Sequence, residues 1–296
     1  MLAKDKMKGS EVLITVLIVG CMLLISLLSW KYLCRKQTPH RRVTAEPYDF
    51  DFDKNTDLFY INLDRATGRR RNIEKQFKKQ GLSAKRHPAV DGTKVDLEDP
   101  KYAKSLKHTK SWYTEDKKRM GHFACFLSHM EILEECLAKQ SPYVVIFEDD
   151  AEFLGSDFKQ KVYENMKNVP ADWDIILFGY HVDDSNDLVK KGNKNSKVRD
   201  GIINLTYFTG LHGYVVRNKA LRVMVDELYK HEWLLDWNMG YLAERGQLNI
   251  YGIFPPILCQ PAAHRITLNG IDLKLNCSFK LGGMMDDKNI SSTDAS

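Results

Sequence analysis

The chain has 296 residues, 43% of them apolar, which is enough for one large or two ordinary domains with a hydrophobic core. This composition excludes an intrinsically disordered protein. The net charge of +5 is mild, and the 44 basic residues are scattered among 39 acidic ones, so we expect no nucleic-acid partner.

An apolar segment near the N-terminus predicts a membrane anchor. After a short tail at residues 1–11, residues 12–30 contain no charged side chain. A helix of about 20 apolar residues spans ~30 Å of hydrocarbon. A cleaved signal peptide has a shorter apolar region and a small-residue cleavage site, whereas Trp30-Lys31-Tyr32 follows here. We therefore predict a single transmembrane helix.

Two sequence signals disagree on the orientation of this helix. Residues 31–42 carry more basic side chains than residues 1–11, which by the positive-inside rule places the C-terminal part in the cytosol. Glycosylation sequons at Asn204, Asn276 and Asn289 instead favour a lumenal C-terminal part. Such triplets also arise by chance, so these two signals alone leave the orientation open.

Predicted strands and helices alternate along the rest of the chain. Residues 31–56 form a polar linker, residues 57–283 carry the regular pattern, and residues 284–296 form a disordered polar tail. Strands are predicted at residues 57–63, 84–90, 143–147, 174–178, 202–207, 213–216 and, as the last strand, 249–254. Helices are predicted at residues 69–80, 121–139, 157–168, 218–229 and 234–245. This alternation predicts an α/β domain with a mainly parallel sheet flanked by helices.

Two polar stretches interrupt this alternation. Residues 93–118 have little periodicity and predict a long loop with helical pieces. Residues 180–200 are too long and polar for a simple connection, so they predict a lid over a site.

Three consecutive carboxylates follow the predicted strand at residues 143–147. Glu148, Asp149 and Asp150 come directly after this apolar run, and ligands of open α/β sheets bind at the carboxyl ends of strands. Clustered carboxylates repel one another unless a cation neutralises them, and their hard oxygen atoms select Mg²⁺ or Mn²⁺. The alternative is a solvated acidic turn that caps the next helix.

The cysteines beyond the anchor region are expected to have two roles. Cys125 and Cys136 lie on one face of a predicted helix and are expected to be small core residues. Cys259 and Cys277 are the pair that we expect to form a disulfide.

Seven stretches occur in an order that resembles glycosyltransferase family 25, which includes bacterial lipooligosaccharide galactosyltransferases and animal collagen galactosyltransferase-like proteins. The stretches are residues 60–65 with Arg69 and Arg70, 89–92, 121–129, 145–150, 173–177 with Gly179, 213–216 and 234–237. Each stretch alone is weak evidence for the family, but seven stretches in the family's order make a specific match. The resemblance implies a GT-A-like Rossmann-type core and transfer of a hexose, foremost galactose, from a UDP-sugar.

The resemblance also implies that the acidic run binds a divalent ion, Mn²⁺ or Mg²⁺. Such an ion would clamp the diphosphate of the donor and stabilise the leaving group. Asp150 and Glu148 are the predicted metal ligands, and Asp149 is the predicted contact to the ribose or the metal. The sequence leaves the distribution of these three roles open.

Further donor contacts are implied by the matched stretches. They are Asn62, Asp64, Arg65, Arg70, Asp91, Gly92, Ser128 and His129. The alternatives are a solvated helix face for the arginine run 69–71, a plain turn for Asp91-Gly92 and a hydrogen-bonded core residue for His129. A metal site that joins His129 to His122 is not expected, because two helical turns separate them by ~10 Å.

Family members are taken to invert the anomeric centre, so a base must deprotonate the acceptor hydroxyl. Asp236 is the candidate base. Trp237 and Trp233 are expected to stack on the apolar face of a sugar. The alternative for Asp236 is a helix N-cap, and both roles are compatible.

The sequence thus predicts a membrane-anchored, metal-dependent, inverting glycosyltransferase that moves a hexose from a UDP-sugar to a glycan or protein hydroxyl. Its layout of membrane anchor, polar linker and domain, together with the sequons, outweighs the excess of basic residues after the anchor. We therefore predict a single-pass type II protein with a lumenal domain in the Golgi or endoplasmic reticulum. The competing hypothesis is a non-catalytic, membrane-tethered protein that binds a glycan or a partner. A phosphotransferase is less favoured, because neither GxxxxGK nor GxGxxG occurs.

Overall fold

A computed structural model describes residues 49–106, 116–182, 200–260, 264–268 and 271–275. Several predicted features lie wholly or partly outside these residues. They are the tail and anchor at 1–30, most of the linker (31–48), part of the long loop (107–115), most of the predicted lid (183–199), Asn276, Cys277, Asn289 and the tail at 284–296. No helix in the described part of the chain is long and apolar enough to cross a membrane.

The predicted helices and strands are all present, with ends shifted by a few residues. The helices are α1 (Thr67–Gln80), α2 (Asp116–Lys139), α3 (Phe158–Met166), α4 (Asn218–Leu228) and α5 (Leu235–Glu244). The strands are β1 (Thr56–Asn62), β2 (Lys85–Pro88), β3 (Tyr143–Glu148), β4 (Glu152–Phe153), β5 (Ile175–His181), β6 (Ile202–Asn204), β7 (Thr209–Arg217), β8 (Ile250–Ile253), β9 (Leu258–Cys259), β10 (His264–Leu268) and β11 (Ile271–Leu275). Short 3₁₀ turns cover Gly92–Lys94 and Pro100–Tyr102.

The main sheet has seven strands in the order β2-β1-β3-β7-β5-β8-β6. β1 is parallel to β2 and β3, and β5 is parallel to β8. β7 is antiparallel to both β3 and β5, and β6 is antiparallel to β8. The α/β class is therefore confirmed, but the sheet is mixed: β1, β2, β3, β5 and β8 run one way, and β6 and β7 run the other. A strand buried on both faces has the same apolar composition whether it runs parallel or antiparallel to its neighbours. The sequence therefore could not show the directions of β6 and β7.

The prediction that the strand at residues 249–254 is the last one was wrong. β9 pairs antiparallel with β4, and β10 and β11 form an antiparallel hairpin. β9 is only two residues long, which is too short for a period-2 pattern to be recognised. Cys259 in this strand is disulfide-bonded, and its predicted partner, Cys277, lies outside the described residues.

β3 separates two hydrophobic cores because its side chains alternate between the faces of the sheet. Val144 and Ile146 pack on the face that α2, α4 and α5 cover, whereas Val145 and Phe147 pack on the face that α1 and α3 cover. Fully burying each such apolar side chain contributes about 1.5–3 kcal/mol. This packing fixes β3 rigidly, so the carboxylates that follow it start from a well-defined position.

The folded unit begins before the predicted domain start at Asp57. Phe50 and Phe52 belong to the predicted linker at residues 31–56, yet they are only 5% and 3% exposed and join the core beneath α3. The Phe52 backbone N–H also donates to the hydroxyl of Tyr163, at 3.1 Å. The C-terminal end of this linker is therefore packed against the domain.

Candidate active site

A cavity of about 560 Å³ opens at the carboxyl ends of β1 and β3. Its walls also include the segment 89–93, the middle of α2, the start of β7 and the start of α5. This volume falls within the range of ligand sites, ~300–1,000 Å³, and the position is the one that open α/β sheets use for ligands.

Arg69 holds two of the three predicted carboxylates at the floor of this cavity. Its Nε atom lies 3.3 Å from Oδ1 of Asp149, and its Nη2 atom lies 2.5 Å from Oδ2 of Asp150. The Asn62 side-chain amide donates to the other oxygen of Asp149, at 2.6 Å. The side chains of Arg69 and Asp149 are each 10% exposed, so this ion pair is shielded from water.

Burial raises the pKa of Asp149 to about 6, although the adjacent Arg69 charge opposes the shift. The neighbouring charges of Asp150 and Glu148 raise this pKa further. Arg69 therefore only partly neutralises the acidic run. An additional cation at this position would be electrostatically favoured.

Glu148 and Asp150 converge on a single donor. The Gln260 side-chain nitrogen donates to Oε2 of Glu148 at 3.3 Å and to Oδ1 of Asp150 at 3.2 Å. A divalent ion that displaced this amide nitrogen would find two carboxylate oxygens already facing it. Oxygen-only donors suit Mg²⁺ or Mn²⁺, so the side chains present fit the predicted ion.

Asp236 lies in the wall of the same cavity, at the second position of α5. Leu234 occupies the N-cap position of this helix, so the alternative interpretation of Asp236 as the N-cap was wrong. Its carboxylate instead accepts the backbone N–H groups of Gly210 and Trp237, each at 2.8 Å. Burial raises the pKa of Asp236 to about 6, and the charge of Glu148 adds to the shift.

The other predicted donor contacts divide into two groups. Asn62, Arg65, Gly92, Ser128 and His129 line the cavity. Asp64, Arg70 and Asp91 do not line it.

The three residues outside the lining have partners of their own. Asp64 is exposed and pairs with Arg86. Arg70 is also exposed and pairs with Glu74 one helical turn away, as the solvated-face alternative for the run 69–71 predicts. Asp91 pairs with Arg65, which does line the cavity, and so positions that arginine.

Gly92 and Ser128 connect the segment 89–93 to α2. A Cβ atom on Gly92 would lie 2.4 Å from the Met120 carbonyl oxygen, so only glycine permits this close approach. The Ser128 hydroxyl donates to the Ala124 carbonyl at 2.7 Å and accepts the Val90 N–H at 2.9 Å. Both residues therefore fix the shape of the cavity wall.

Only one of the two predicted stacking tryptophans reaches the cavity. Trp237 is half-buried and lines it. Trp233 is 41% exposed and packs edge-on against Tyr241, away from the lining. Trp237 thus remains the aromatic candidate for sugar contact.

The predicted site residues did not include Arg69, Cys125 and Gln260, which also line the cavity. Cys136 is buried in the core as predicted, whereas the core assignment of Cys125 was wrong, because this side chain lines the cavity. The i,i+4 spacing of Cys125 and His129 on α2 was the available signal, since it places both on one helix face. Gln260 follows Cys259 in a stretch to which the sequence assigned no chemistry.

This α/β fold has an acidic cavity at the carboxyl ends of its strands. It therefore falls in the class of open-sheet α/β proteins that bind ligands at this edge. The chain belongs to glycosyltransferase family 25, whose profile, described as "Glycosyltransferase family 25 (LPS biosynthesis protein)", matches residues 55–239. The family resemblance predicted from the seven stretches is thus confirmed.

Individual relatives match a shorter region. A "Glycosyltransferase 25 family member" of Anopheles gambiae is 34% identical over 128 residues, or 41% of this chain and 21% of the relative. The human "Procollagen galactosyltransferase 2" is 28% identical over 142 residues, or 46% of this chain and 22% of the relative. A Rattus norvegicus "Probable inactive glycosyltransferase 25 family member 3" is 31% identical over 143 residues, or 47% of this chain and 24% of the relative. The matched regions thus span about a fifth to a quarter of these relatives' lengths.

Proposed function

We propose that the cavity binds a UDP-sugar and that the chain transfers its hexose, foremost galactose, to a hydroxyl of a glycan or protein. The observation that carries this proposal is the convergence of Glu148 and Asp150 on one nitrogen at the cavity floor. Membership of the glycosyltransferase family supports the reaction class. The name of the human galactosyltransferase relative supports galactose.

Glu148 and Asp150 would hold Mn²⁺ or Mg²⁺, which supplies charge neutralisation for a leaving diphosphate when bound. Arg65 adds positive charge at the cavity wall, where its side chain is 32% exposed. Arg69 keeps Asp149 and Asp150 oriented. With the ion bound, these groups together suit a dianionic diphosphate.

Asp236 acts as the base in this proposal. Its carboxylate lines the cavity on a different element from the acidic run, and backbone N–H groups fix its orientation. A base must reach the acceptor hydroxyl while the diphosphate lies elsewhere in the cavity. The pKa of about 6 leaves Asp236 deprotonated at neutral pH but more basic than an ordinary aspartate.

The transfer rate is expected to fall as the pH drops through about 6, where Asp236 takes up a proton. Only the deprotonated carboxylate accepts the hydroxyl proton, so the rate loses ~10-fold per pH unit below that point. A cation bound beside Glu148 moves the midpoint lower, because it favours the charged form. The measurement is kcat against pH with saturating donor, and a rate that rises on acidification would contradict the assignment.

The proposed donor site is tested by calorimetric titration of the full chain with UDP, with Mn²⁺ or with a chelator. We expect Mn²⁺ to tighten binding ~10-fold or more, equivalent to ~1.4 kcal/mol or more. The Asp150→Asn variant is expected to lose this gain. Asp226→Asn is the matched control, since Asp226 is an exposed acid on α4 outside the cavity lining. Equal UDP affinity in all conditions would remove the basis for the proposed ion site.

A non-catalytic binding protein is the second candidate, because the Rattus norvegicus relative is named as probably inactive. It is distinguished by UDP binding without turnover of any donor. The membrane anchor at residues 12–30 and the lumenal orientation remain part of the proposal on the sequence alone.

A further inference from the structure

Cys125, His129 and Glu148 bring three different ligand atoms together at one corner of the cavity floor. The cysteine sulfur, a ring nitrogen of the histidine and a carboxylate oxygen all lie within 4.8 Å of one another. From this geometry we infer a second cation site, distinct from the oxygen-only pair of Glu148 and Asp150, that takes a borderline-soft divalent ion of the Zn²⁺ class. The site rests on its own geometry and does not depend on which donor the cavity binds.

His129 is oriented as a metal-binding histidine would be. It is fully buried, and its Nδ1 atom lies 2.8 Å from the hydroxyl of Tyr214. Its Nε2 atom has no hydrogen-bond partner in the described part of the chain and lies 3.5 Å from Oε1 of Glu148. A hydrogen bond at one ring nitrogen fixes the ring and leaves the other nitrogen to bind a metal.

The three side chains come from rigid elements. Cys125 and His129 are four residues apart on α2, so they project from the same helix face. Glu148 ends the buried strand β3. All three line the cavity, so an ion can enter from it.

The donor set selects the type of ion. A thiolate, an imidazole and a carboxylate match Zn²⁺, whereas Mg²⁺ and Mn²⁺ prefer oxygen alone. Zn–ligand bonds of ~2.0–2.3 Å place tetrahedral ligand atoms ~3.3–3.7 Å apart. The most separated of the three ligand atoms must therefore close by ~1 Å or somewhat more.

Glu148 is shared between the two cation sites through different oxygens. Oε2 faces Gln260 and Asp150, and Oε1 faces His129. Binding of Zn²⁺ also requires the Cys125 thiolate, so a proton leaves the thiol as the ion enters. Because both ions draw on the charge of the same carboxylate, we expect Zn²⁺ binding to weaken Mn²⁺ binding at Glu148.

The site is tested with Co²⁺, which substitutes for Zn²⁺ and gives a sulfur-to-cobalt absorption band when a thiolate binds it. The full chain, stripped with a chelator, is titrated with Co²⁺ and then with Zn²⁺. We expect a charge-transfer band that Zn²⁺ abolishes. The band should be lost in Cys125→Ala and kept in Cys136→Ala, the matched control for a buried free cysteine on the same helix.

A second variant separates metal binding from folding. Tyr214→Phe removes the hydrogen bond to Nδ1 of His129 but leaves all three ligands in place. Loss of such a supporting bond is expected to weaken Zn²⁺ affinity ~10–100-fold with unchanged circular dichroism. If the wild-type chain gives no sulfur-to-cobalt band, or Cys125→Ala keeps it, the three residues are only a buried histidine–carboxylate pair beside a thiol and the proposal is overturned.

Discussion

Asp236→Asn is expected to lower kcat for sugar transfer by about 10²- to 10⁴-fold, the usual contribution of a positioned general base. The variant keeps the size of the side chain but cannot accept the hydroxyl proton. UDP affinity is expected to stay within a few-fold of the wild-type value, because Asp236 lies on α5 and the proposed ion ligands lie at the carboxyl end of β3. Initial rates of transfer and UDP titrations provide the two readouts.

A second variant controls for the backbone hydrogen bonds that Asp236 accepts. Asparagine offers one acceptor oxygen where the carboxylate offers two, and the Gly210 and Trp237 N–H groups use one each. Asp236→Glu keeps both acceptors and displaces the base by one methylene, so we expect a partial loss of kcat. An Asn variant that transfers sugar at the wild-type rate would exclude Asp236 as the base.

Arg69→Met is expected to lower the free energy of unfolding by about 3–5 kcal/mol at neutral pH, because it leaves buried carboxylates without their counter-charge. Asp149 and Asp150 both pair with this guanidinium. Acidification should relieve part of the loss, since the already raised pKa of Asp149 rises further without Arg69 and the carboxylate takes up a proton. Urea unfolding in the presence of a chelator at two pH values measures both effects.

Arg70→Met is the matched control for this experiment. It removes the neighbouring arginine, whose pair with Glu74 is 48% and 44% exposed on the surface of α1. Exposed i,i+4 pairs contribute only ~0.3–0.5 kcal/mol. Equal destabilisation by the two variants would show that the Arg69 cluster has no special role in stability.

The alternation of strands and helices was predictable because amphipathic helices and buried strands leave different periods in the sequence. The end of α1 was equally clear, since Gly81 adopts the left-handed conformation that stops the helix. The antiparallel direction of β7 and the pairing of β9 were not predictable. They depend on contacts between segments that are distant in sequence, and no local pattern records them.

The candidate site was predictable where a side chain follows directly from a strand. Glu148 and its neighbours were placed correctly at the carboxyl end of β3 and line the cavity. The sequence predicted Arg70 as a donor contact, whereas Arg69 lines the cavity. Adjacent helical residues differ by ~100° in direction, and the phase of α1 is set by packing. Gln260 comes from a distant segment, and its contact to Glu148 becomes apparent only in the folded chain.

The most direct measurement is the release of UDP from a panel of UDP-sugars by the full chain, with Mn²⁺ or with a chelator. The account predicts Mn²⁺-dependent release from one preferred donor, abolished in Asp150→Asn and retained in Asp226→Asn. If no donor releases UDP faster than the Asp150→Asn background, while circular dichroism shows a folded chain, the proposed transferase site is contradicted.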